Sequence, residues 1–391
     1  MENTTKLYRV YMSGYGKNTS YQEVSEEEIK LFLKTTFSAN LNFNVLLGSG
    51  CSLKAIPTMG STFDSLKEEE SDNKKLLNEL IEEYKKSEIS IKNDDDAKNI
   101  ELFLSWLGNR ISGKSRVDAE KEIEVRKYVL DNLMKSITEG YYSDEDEREK
   151  TLTTYINFIK NISFLKTESN DLNDIVNLFT PNYDLFIERS LTNLGISYCD
   201  GFSNSLDSKF DTAEFNHRPV DISKRFQDKW STIRPYFRIY KLHGSLNWKQ
   251  TDNGINKITD PAPVNEIERT VISPTSSKYA DSQGSPFSDL FREFSIELTK
   301  PNSTLLVVGY GFGDQHINDF ILQALGRSDF KLVAFVNENE DNASLFMEKV
   351  GSNQSATFIT NTENKQDVNH FSTVTELLSF QHPFASENKN E

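Results

Sequence analysis

Short apolar runs recur along the chain, and most lead into a polar or glycine-containing turn and then a helical pattern. The runs do not alternate with polar residues, which indicates strands buried on both faces of a parallel sheet. Because strands that alternate with helices build α/β domains, we predict a Rossmann-like parallel sheet of about six strands with helices on both faces. The predicted strands are residues 43–47, 175–179, 238–242, 304–308, 331–336 and 357–360.

Apolar residues between the first two predicted strands recur at helical spacing instead. Leu77, Ile81 and Tyr84 share one helix face, and a similar pattern recurs around Leu107. Charge-rich segments separate these patterns and are typical of solvated linkers. We therefore predict a helical insertion at about residues 62–170, after the first strand.

The rest of the chain gives a simple domain organisation. Residues 1–40 are predicted as an arm and a helix, and the helix begins at a capping box from Ser25 to Glu28. Residues 41–380 are predicted as one large domain that includes the insertion. Residues 381–391 are polar and are predicted to form a flexible tail.

Composition limits the classes of partner and cofactor. The chain carries a formal net charge of −16, which disfavours non-specific binding to nucleic acid. Its two cysteines, Cys51 and Cys199, are too few for a four-cysteine zinc site. No apolar run reaches the roughly 18 residues of a membrane helix, and the N-terminus lacks a signal-peptide pattern. We expect a cytoplasmic protein that requires no metal, no membrane and no direct contact with nucleic acid.

A Gly-Ser-Gly-Cys-Ser turn at residues 48–52 follows the first predicted strand. Glycines at this spacing let backbone amides approach a phosphate at a helix start, where the helix dipole favours an anion. Ordinary tight turns use the same spacing, and Leu53 stands where the dinucleotide-binding fingerprint has its third glycine. We expect Cys51 to be a small buried thiol rather than a nucleophile.

Polar side chains follow two further predicted strands. Asn182 and Asp184 come after the strand at 175–179, and His243 follows the strand at 238–242. Open α/β sheets bind ligands at the carboxyl ends of their strands, and histidine suits general-base work near neutral pH. Asn and Asp also cap helices, however, and a histidine at a strand end can have a purely structural role.

A Gly-Tyr-Gly-Phe-Gly-Asp turn at residues 309–314 follows the strand at 304–308. Asp314 is a good N-cap for the next helix, and the glycine-rich loop is predicted to be a second cradle for an anion or a ribose. After the strand at 331–336, Asn337 is a further candidate to bond ribose hydroxyls. An ordinary turn would use the same residue.

The order of these turns resembles that of the sirtuin superfamily. Deacetylase sirtuins have a Gly-Ala-Gly-x-Ser loop, a Thr-Gln-Asn-x-Asp loop, a catalytic His-Gly, a Gly-Thr-Ser loop and a later Asn. The resemblance covers about residues 40–62 and 175–360 of this chain. The counterparts here are Gly48-Ser49-Gly50-Cys51-Ser52, Thr180-Pro181-Asn182-Tyr183-Asp184, His243-Gly244, Gly309-Tyr310-Gly311 and Asn337.

Two departures distinguish the chain from the deacetylases. It lacks their four-cysteine zinc module, and it has Ile-Pro-Thr-Met-Gly at residues 56–60 in place of Ile-Pro-Asp-Phe-Arg. Its Asn-Tyr-Asp, Leu-His-Gly-Ser and Gly-Tyr-Gly-Phe-Gly-Asp turns are closer to those of bacterial sirtuin-like antiphage effectors. That resemblance implies an NAD glycohydrolase that depletes NAD in abortive infection. It also implies a homo-oligomer gated by a separate partner, with a HerA-type ATPase as our first expectation.

The resemblance assigns the site as follows. Asn182 and His243 would be catalytic, and NAD would be the substrate. An ADP-ribosyltransferase or deacylase with the same pocket, a non-catalytic NAD or ADP-ribose sensor, and a structural subunit of an ATPase assembly stay open as alternatives. The residues expected to contact NAD are Gly48, Ser49, Gly50, Cys51, Ser52, Thr180, Asp184, Gly309, Tyr310, Gly311, Asp314 and Asn337.

Overall fold

A computed structural model gives the fold of most of the chain. The predicted tail at 381–391 lies outside the residues it describes. Those are residues 7–15, 20–38, 42–68, 72–87, 100–142, 145–168, 174–206, 208–227, 229–252, 254–258, 269–271, 285–361 and 370–380.

The helices lie mainly in two groups, between the first and second central strands and in the last third of the chain. Short 3-10 helices cover Ser49–Ser52 and Thr212–Asn216. The α-helices are α1 Glu26–Ser38, α2 Met59–Glu68, α3 Asp72–Lys86, α4 Ile100–Ser112, α5 Glu120–Tyr142, α6 Glu145–Glu168, α7 Phe186–Asn193, α8 Phe287–Thr299, α9 Gln315–Ala324, α10 Asp341–Val350 and α11 Phe371–Leu377.

The strands are short, and those at the centre of the fold are almost entirely buried. They are β1 Leu7–Tyr11, β2 Gln22–Ser25, β3 Asn42–Leu47, β4 Ile175–Thr180, β5 Tyr198–Cys199, β6 Val220–Phe226, β7 Lys229–Thr232, β8 Tyr236–Lys241, β9 Gly244–Thr251, β10 Gly254–Lys257, β11 Arg269–Val271, β12 Ser303–Val308, β13 Lys331–Phe335 and β14 Ala356–Thr360.

Nine strands within the described residues form one sheet, in the order β2-β1-β14-β13-β12-β3-β4-β8-β5. Neighbours run parallel from β14 to β5. The six predicted strands are β3, β4, β8, β12, β13 and β14, so the prediction of a Rossmann-like parallel sheet in an α/β fold is confirmed.

The apolar pattern missed three strands of this sheet, which lie at its two edges. β1 pairs antiparallel with β14 and with β2, and residues of differing exposure are mixed along it. β2 is exposed or half-buried throughout, and β5 has only two residues. None of the three gives the continuous apolar run by which a central strand is recognised.

Layers of helices cover both faces of the sheet. Successive side chains of β3 show this, because Val45 and Leu47 pack into one apolar core and Leu46 packs into the other. Helices α2 to α6, which form the insertion between β3 and β4, contribute to the first core. Helices α8, α9 and α10 cover the opposite face.

The beginning of the described chain is held at two points. Ser25 and Glu28 form the predicted capping box, since the Ser25 amide donates to Glu28 Oε2 at 2.7 Å and the Glu28 amide donates to Ser25 Oγ at 3.3 Å. On β1, Arg9 and Tyr11 both donate to the carboxylate of Glu338, at 3.3 and 3.2 Å. Strand β1 therefore contacts the turn that follows β13.

The chain order reverses at β3, which lies between β12 and β4. The carboxyl ends of these strands are in register, because Val308 pairs with Leu47 and Thr180 pairs with Lys241 on β8. A reversal of this kind opens a crevice at the carboxyl ends, where open α/β sheets bind ligands. The turns after β3, β4, β8 and β12 all begin at this edge.

No helix within the described ranges is long and apolar enough to cross a membrane.

Candidate functional site

A cavity of about 360 Å³ lies at this edge of the sheet. Its volume falls within the range of small-molecule sites, roughly 300 to 1,000 Å³. Eight of the residues that the sequence singled out line the cavity. They are Ser49, Ser52, Asn182, Asp184, His243, Tyr310, Gly311 and Asp314.

Asn182 is held by the ends of two strands. The Thr180 hydroxyl donates to the carbonyl of Leu47 at 2.6 Å and accepts from the Asn182 amide at 3.0 Å. The side-chain Nδ2 of Asn182 donates to the carbonyl of Gly48 at 3.0 Å. This bond fixes the orientation of the amide, so Oδ1 is the atom suited to accept a hydrogen bond from a ligand. Thr180 is fully buried and is not part of the cavity lining.

The Asp184 carboxylate is bonded on both oxygens. Oδ1 accepts from the Phe186 amide at 3.2 Å, at the start of α7, and Oδ2 accepts from the Ser52 hydroxyl at 2.8 Å. The buried ammonium of Lys241 donates to the Asp184 carbonyl and lies 3.5 Å from Glu188. Burial raises the pKa of Glu188, and the charge of Lys241 opposes that rise. These contacts fix the turn after β4.

His243 meets Asp314 across the cavity edge. His243 follows β8, and Gly244 has a φ of +89°, which lets the chain turn into β9. Asp314 Oδ1 caps α9 by accepting from the amides of His316 at 3.0 Å and Ile317 at 3.4 Å. Its Oδ2 lies 2.9 Å from His243 Nε2, and both side chains are nearly inaccessible to solvent.

The His243–Asp314 pair is within hydrogen-bond distance. Catalytic hydrogen bonds often tighten only when substrate binds, so this distance suits a catalytic pair. Asp314 thus serves two groups at once: one oxygen caps a helix and the other faces an imidazole.

The glycines after β3 are required by contact with the turn after β12. Gly48 and Gly50 donate their amides to the carbonyls of Val308 and Gly309, at 2.9 and 2.8 Å. A Cβ on Gly48 would lie 2.3 Å from the Gly309 carbonyl oxygen, and Gly309 has a φ of +63°. The two amides therefore bond the neighbouring turn. That they bind a phosphate stays a prediction, and Ser49 and Ser52 are the residues of this turn that line the cavity.

Cys51 lies on the other side of the same turn. It is buried, its thiol donates to the carbonyl of Val308 at 3.4 Å, and it lines a second cavity of about 250 Å³. Burial, and then the negative charge of Asp184, raise the pKa of the thiol well above its usual value. These observations agree with the interpretation of Cys51 as a small buried thiol.

The turn after β12 is held by its own hydrogen bonds. The Tyr310 hydroxyl lies 3.0 Å from both the Asp314 carbonyl and Asn318 Oδ1. Asn318 also donates to the carbonyl of Phe312, which has a left-handed φ of +55°. Gly309 packs against the glycine turn and does not line the cavity.

Asn337 lies in a turn away from the cavity. Its Oδ1 accepts from the Asn339 amide at 3.2 Å, and its Nδ2 lies 3.4 Å from Glu340. Glu340, the N-cap residue of α10, and Asn342 in the first turn of α10 line the cavity in its place. A ribose contact by Asn337 stays a prediction.

The cavity has two walls of different origin. We call Asn182, Asp184, His243, Asp314 and Glu340 the strand-end wall. The insertion wall consists of apolar residues from the insertion and the segment leading into it. They are Ile56, Met59, Leu133 and Ile137.

Sequence reasoning missed the insertion wall. Leu133 and Ile137 lie one turn apart on α5 and have the spacing of an ordinary buried helix face. Tyr155 on α6 was missed for the same reason, although its hydroxyl lies 3.0 Å from that of Ser52. No local signal distinguishes such residues from the rest of the core.

A comparison with protein families finds one model that matches part of the chain. Residues 176–353 match the model of the SIR2-like domain. The match contains Asn182, His243 and Asp314, and it includes neither the glycine turn at 48–52 nor the insertion. Members of the SIR2-like family are enzymes that use NAD, so the match implies NAD as a ligand. No curated protein matches the chain.

No group of three or more His, Cys, Asp or Glu side chains in the described part of the chain is arranged to hold a metal ion. The polar groups that line the cavity are the carboxylates, amides, hydroxyls and imidazole named above.

Proposed function

We propose that the protein is an NAD glycohydrolase that cleaves NAD to nicotinamide and ADP-ribose in this cavity. One observation carries the proposal. Three turns that are far apart in the sequence place Asn182, His243 and Asp314 on one cavity at the switch point of a SIR2-like sheet. An imidazole held close to a reacting group can act as a general base, and a neighbouring carboxylate stabilises the imidazolium that forms.

The charge of the cavity lining suits the nicotinamide ribose of this substrate. Asp184, Asp314 and Glu340 are the acidic residues of the lining, and within the described part of the chain it contains no lysine or arginine. The nicotinamide ring of NAD carries a positive charge, and cleavage of its glycosidic bond develops positive charge on the ribose. Carboxylates fixed near that ribose stabilise the transition state more than the ground state.

The proposed reaction is a displacement at C1′ of the nicotinamide ribose. The bond from C1′ to the ring nitrogen breaks, and its electron pair neutralises the ring, which leaves as nicotinamide. A water oxygen forms the new bond to C1′, and His243 accepts the proton that this water loses. Asn182 Oδ1 orients the water or a ribose hydroxyl, and Asp184 holds the nicotinamide amide.

Each wall has a separate part in this proposal. The strand-end wall supplies the polar groups. The insertion wall supplies apolar surface against which a flat ring packs while water is kept from the rest of the site. Removing bulk water strengthens the charge interactions of the opposite wall.

The resemblance to antiphage effectors extends the proposal to regulation. An enzyme that destroys NAD is toxic when it is always active, so we expect low basal turnover and activation by a separate partner. A HerA-type ATPase is the first candidate, and depletion of NAD during infection is the proposed outcome. Assembly into a homo-oligomer is part of the same proposal.

The direct test measures NAD binding and NAD cleavage separately. Purified protein is incubated with NAD, alone and with the candidate ATPase, and nicotinamide and ADP-ribose are quantified by chromatography. Calorimetry measures NAD binding in parallel. We expect binding in both conditions, cleavage at least in the presence of the partner, and loss of cleavage in His243→Ala and Asn182→Ala.

His316→Gln is the matched control, because His316 lies only two residues after Asp314 but does not line the cavity. It should cleave NAD like the wild type. NAD that binds but stays intact in both conditions would overturn the hydrolase and leave a sensor. Absence of NAD binding would overturn the ligand itself.

A further inference from the structure

Tyr155 connects the insertion to the candidate site. It lies on α6, and its side chain is fully buried. The ring stacks on Phe186 at 5.5 Å between centroids and contacts Phe371 edge-on at 4.7 Å. Packing on two sides therefore fixes the position of the hydroxyl.

The direction of the hydrogen bonds follows from the number of protons. The Ser52 hydroxyl has one proton, and it donates that proton to Asp184 Oδ2 at 2.8 Å. In its 3.0 Å contact with Ser52 Oγ, the Tyr155 hydroxyl must therefore be the donor. Burial, followed by the charges of Asp184 and Cys51, raises the pKa of Tyr155 well above its ordinary value. The hydroxyl consequently keeps its proton at neutral pH.

The Asn182 side chain also opposes the rise in the pKa of Tyr155. Its Nδ2 donates to the Gly48 carbonyl at 3.0 Å, so Oδ1 is the amide atom that can accept from a ligand.

We propose that Tyr155 is a positioning residue through which the insertion sets Ser52 and Asp184 in their ligand-binding arrangement. The Tyr155 hydroxyl donates to Ser52, and Ser52 in turn donates to Asp184. A displacement of α6 therefore changes the binding site. The choice of NAD as the ligand rests on the proposed function, whereas the positioning itself does not.

Tyr155→Phe is the variant that tests this inference, because it keeps the packed ring and removes only the hydroxyl. Tyr141→Phe is the matched control. Tyr141 is a buried tyrosine of the insertion whose ring packs on the same Phe186 at 5.0 Å, but its hydroxyl lies near Arg189 rather than Ser52. Melting temperatures of both variants establish that they fold.

Hydrogen exchange in the absence of ligand gives the first readout. We expect faster exchange of the backbone amides at 48–53 and 180–186 in Tyr155→Phe, and unchanged exchange there in Tyr141→Phe. Equal exchange in both variants would overturn the inference. This readout does not depend on NAD, so it tests the positioning role of Tyr155 even when the protein binds no NAD.

NAD affinity gives the second readout, together with the separation of KM from kcat. Loss of one buried hydrogen-bond donor should weaken NAD binding about tenfold. Ser52→Ala should weaken binding to a similar degree, and the double variant should be no weaker than Ser52→Ala, since Tyr155 acts largely through Ser52. Additive losses would show that the two residues act separately, and they would overturn the proposal that Tyr155 acts through Ser52. A wild type that binds no NAD would overturn the proposed function instead.

Discussion

The strand-end wall of the cavity comes from the turns after β4, β8 and β12 and from the residue just before α10. The insertion wall comes largely from α2 and α5. The strand-end wall is polar and lies entirely within the SIR2-like match at residues 176–353. The insertion wall is apolar and lies entirely before residue 176. The polar and the apolar lining of the cavity thus come from different parts of the chain.

The difference suggests that the two walls have different functions, one in the chemical step and one in ligand binding, and we call this the division between the walls. Residues that line a cavity with polar atoms act in the chemical step, where small displacements are costly. Apolar residues act through the area they bury and through the exclusion of water. Substitutions in the strand-end wall should therefore lower kcat, and substitutions in the insertion wall should raise KM.

The largest effect that would test this division is expected at Asp314. Asp314→Asn keeps an oxygen that can cap α9, but it removes the negative charge that faces His243. We expect kcat for NAD cleavage to fall about a hundredfold, with little change in the melting temperature.

Asp319→Asn is the control for the Asp314 variant, since Asp319 is exposed on the same helix and does not line the cavity. It should leave kcat unchanged. Wild-type turnover in Asp314→Asn would remove the carboxylate from the mechanism and reduce its role to capping.

A smaller effect is expected from the insertion wall. Ile137→Ala removes apolar area from the cavity, so KM for NAD should rise about tenfold while kcat changes little. Val129→Ala is the control, because Val129 is fully buried on the same helix without lining the cavity. Steady-state kinetics and melting curves separate the two, since both variants lose stability and only the first should lose affinity. A fall in kcat with an unchanged KM would break the proposed division.

The smallest effect is expected at Cys51, behind the glycine turn. Burial raises the pKa of Cys51 well above its ordinary value and raises that of Cys199 to about 11. Both thiols stay protonated below those values, so the folded protein should resist iodoacetamide at pH 8, as measured by mass spectrometry. Cys51→Ala should retain NAD cleavage within about twofold. Rapid labelling that also abolishes cleavage would place the thiol in the site.

The sequence predicts the centre of the sheet because β3, β4, β8, β12, β13 and β14 are continuous apolar runs. It also predicts most of the strand-end wall, since polar residues directly after such strands must meet at one edge. It does not predict β1 and β2, whose mixed exposure gives a weaker signal.

The sequence does not predict contacts between residues that lie far apart along the chain. Asp314 was assigned correctly as a helix cap, but nothing local indicates that its second oxygen faces His243. Tyr155 has the spacing of a core residue on α6, and its hydroxyl contact depends on how the helix packs against the sheet. The roles of Gly48 and Gly309 likewise depend on the approach of two turns.

The pairing of β1 with β14 has a practical consequence for work on this protein. Arg9 and Tyr11 hold Glu338, which lies two residues before the cavity residue Glu340. Truncation of the chain before β3, or a fusion that displaces β1, would release the edge of β14 and loosen the part of the cavity rim that Glu340 forms. Limited proteolysis near β1 therefore offers a simple assay for the integrity of the rim.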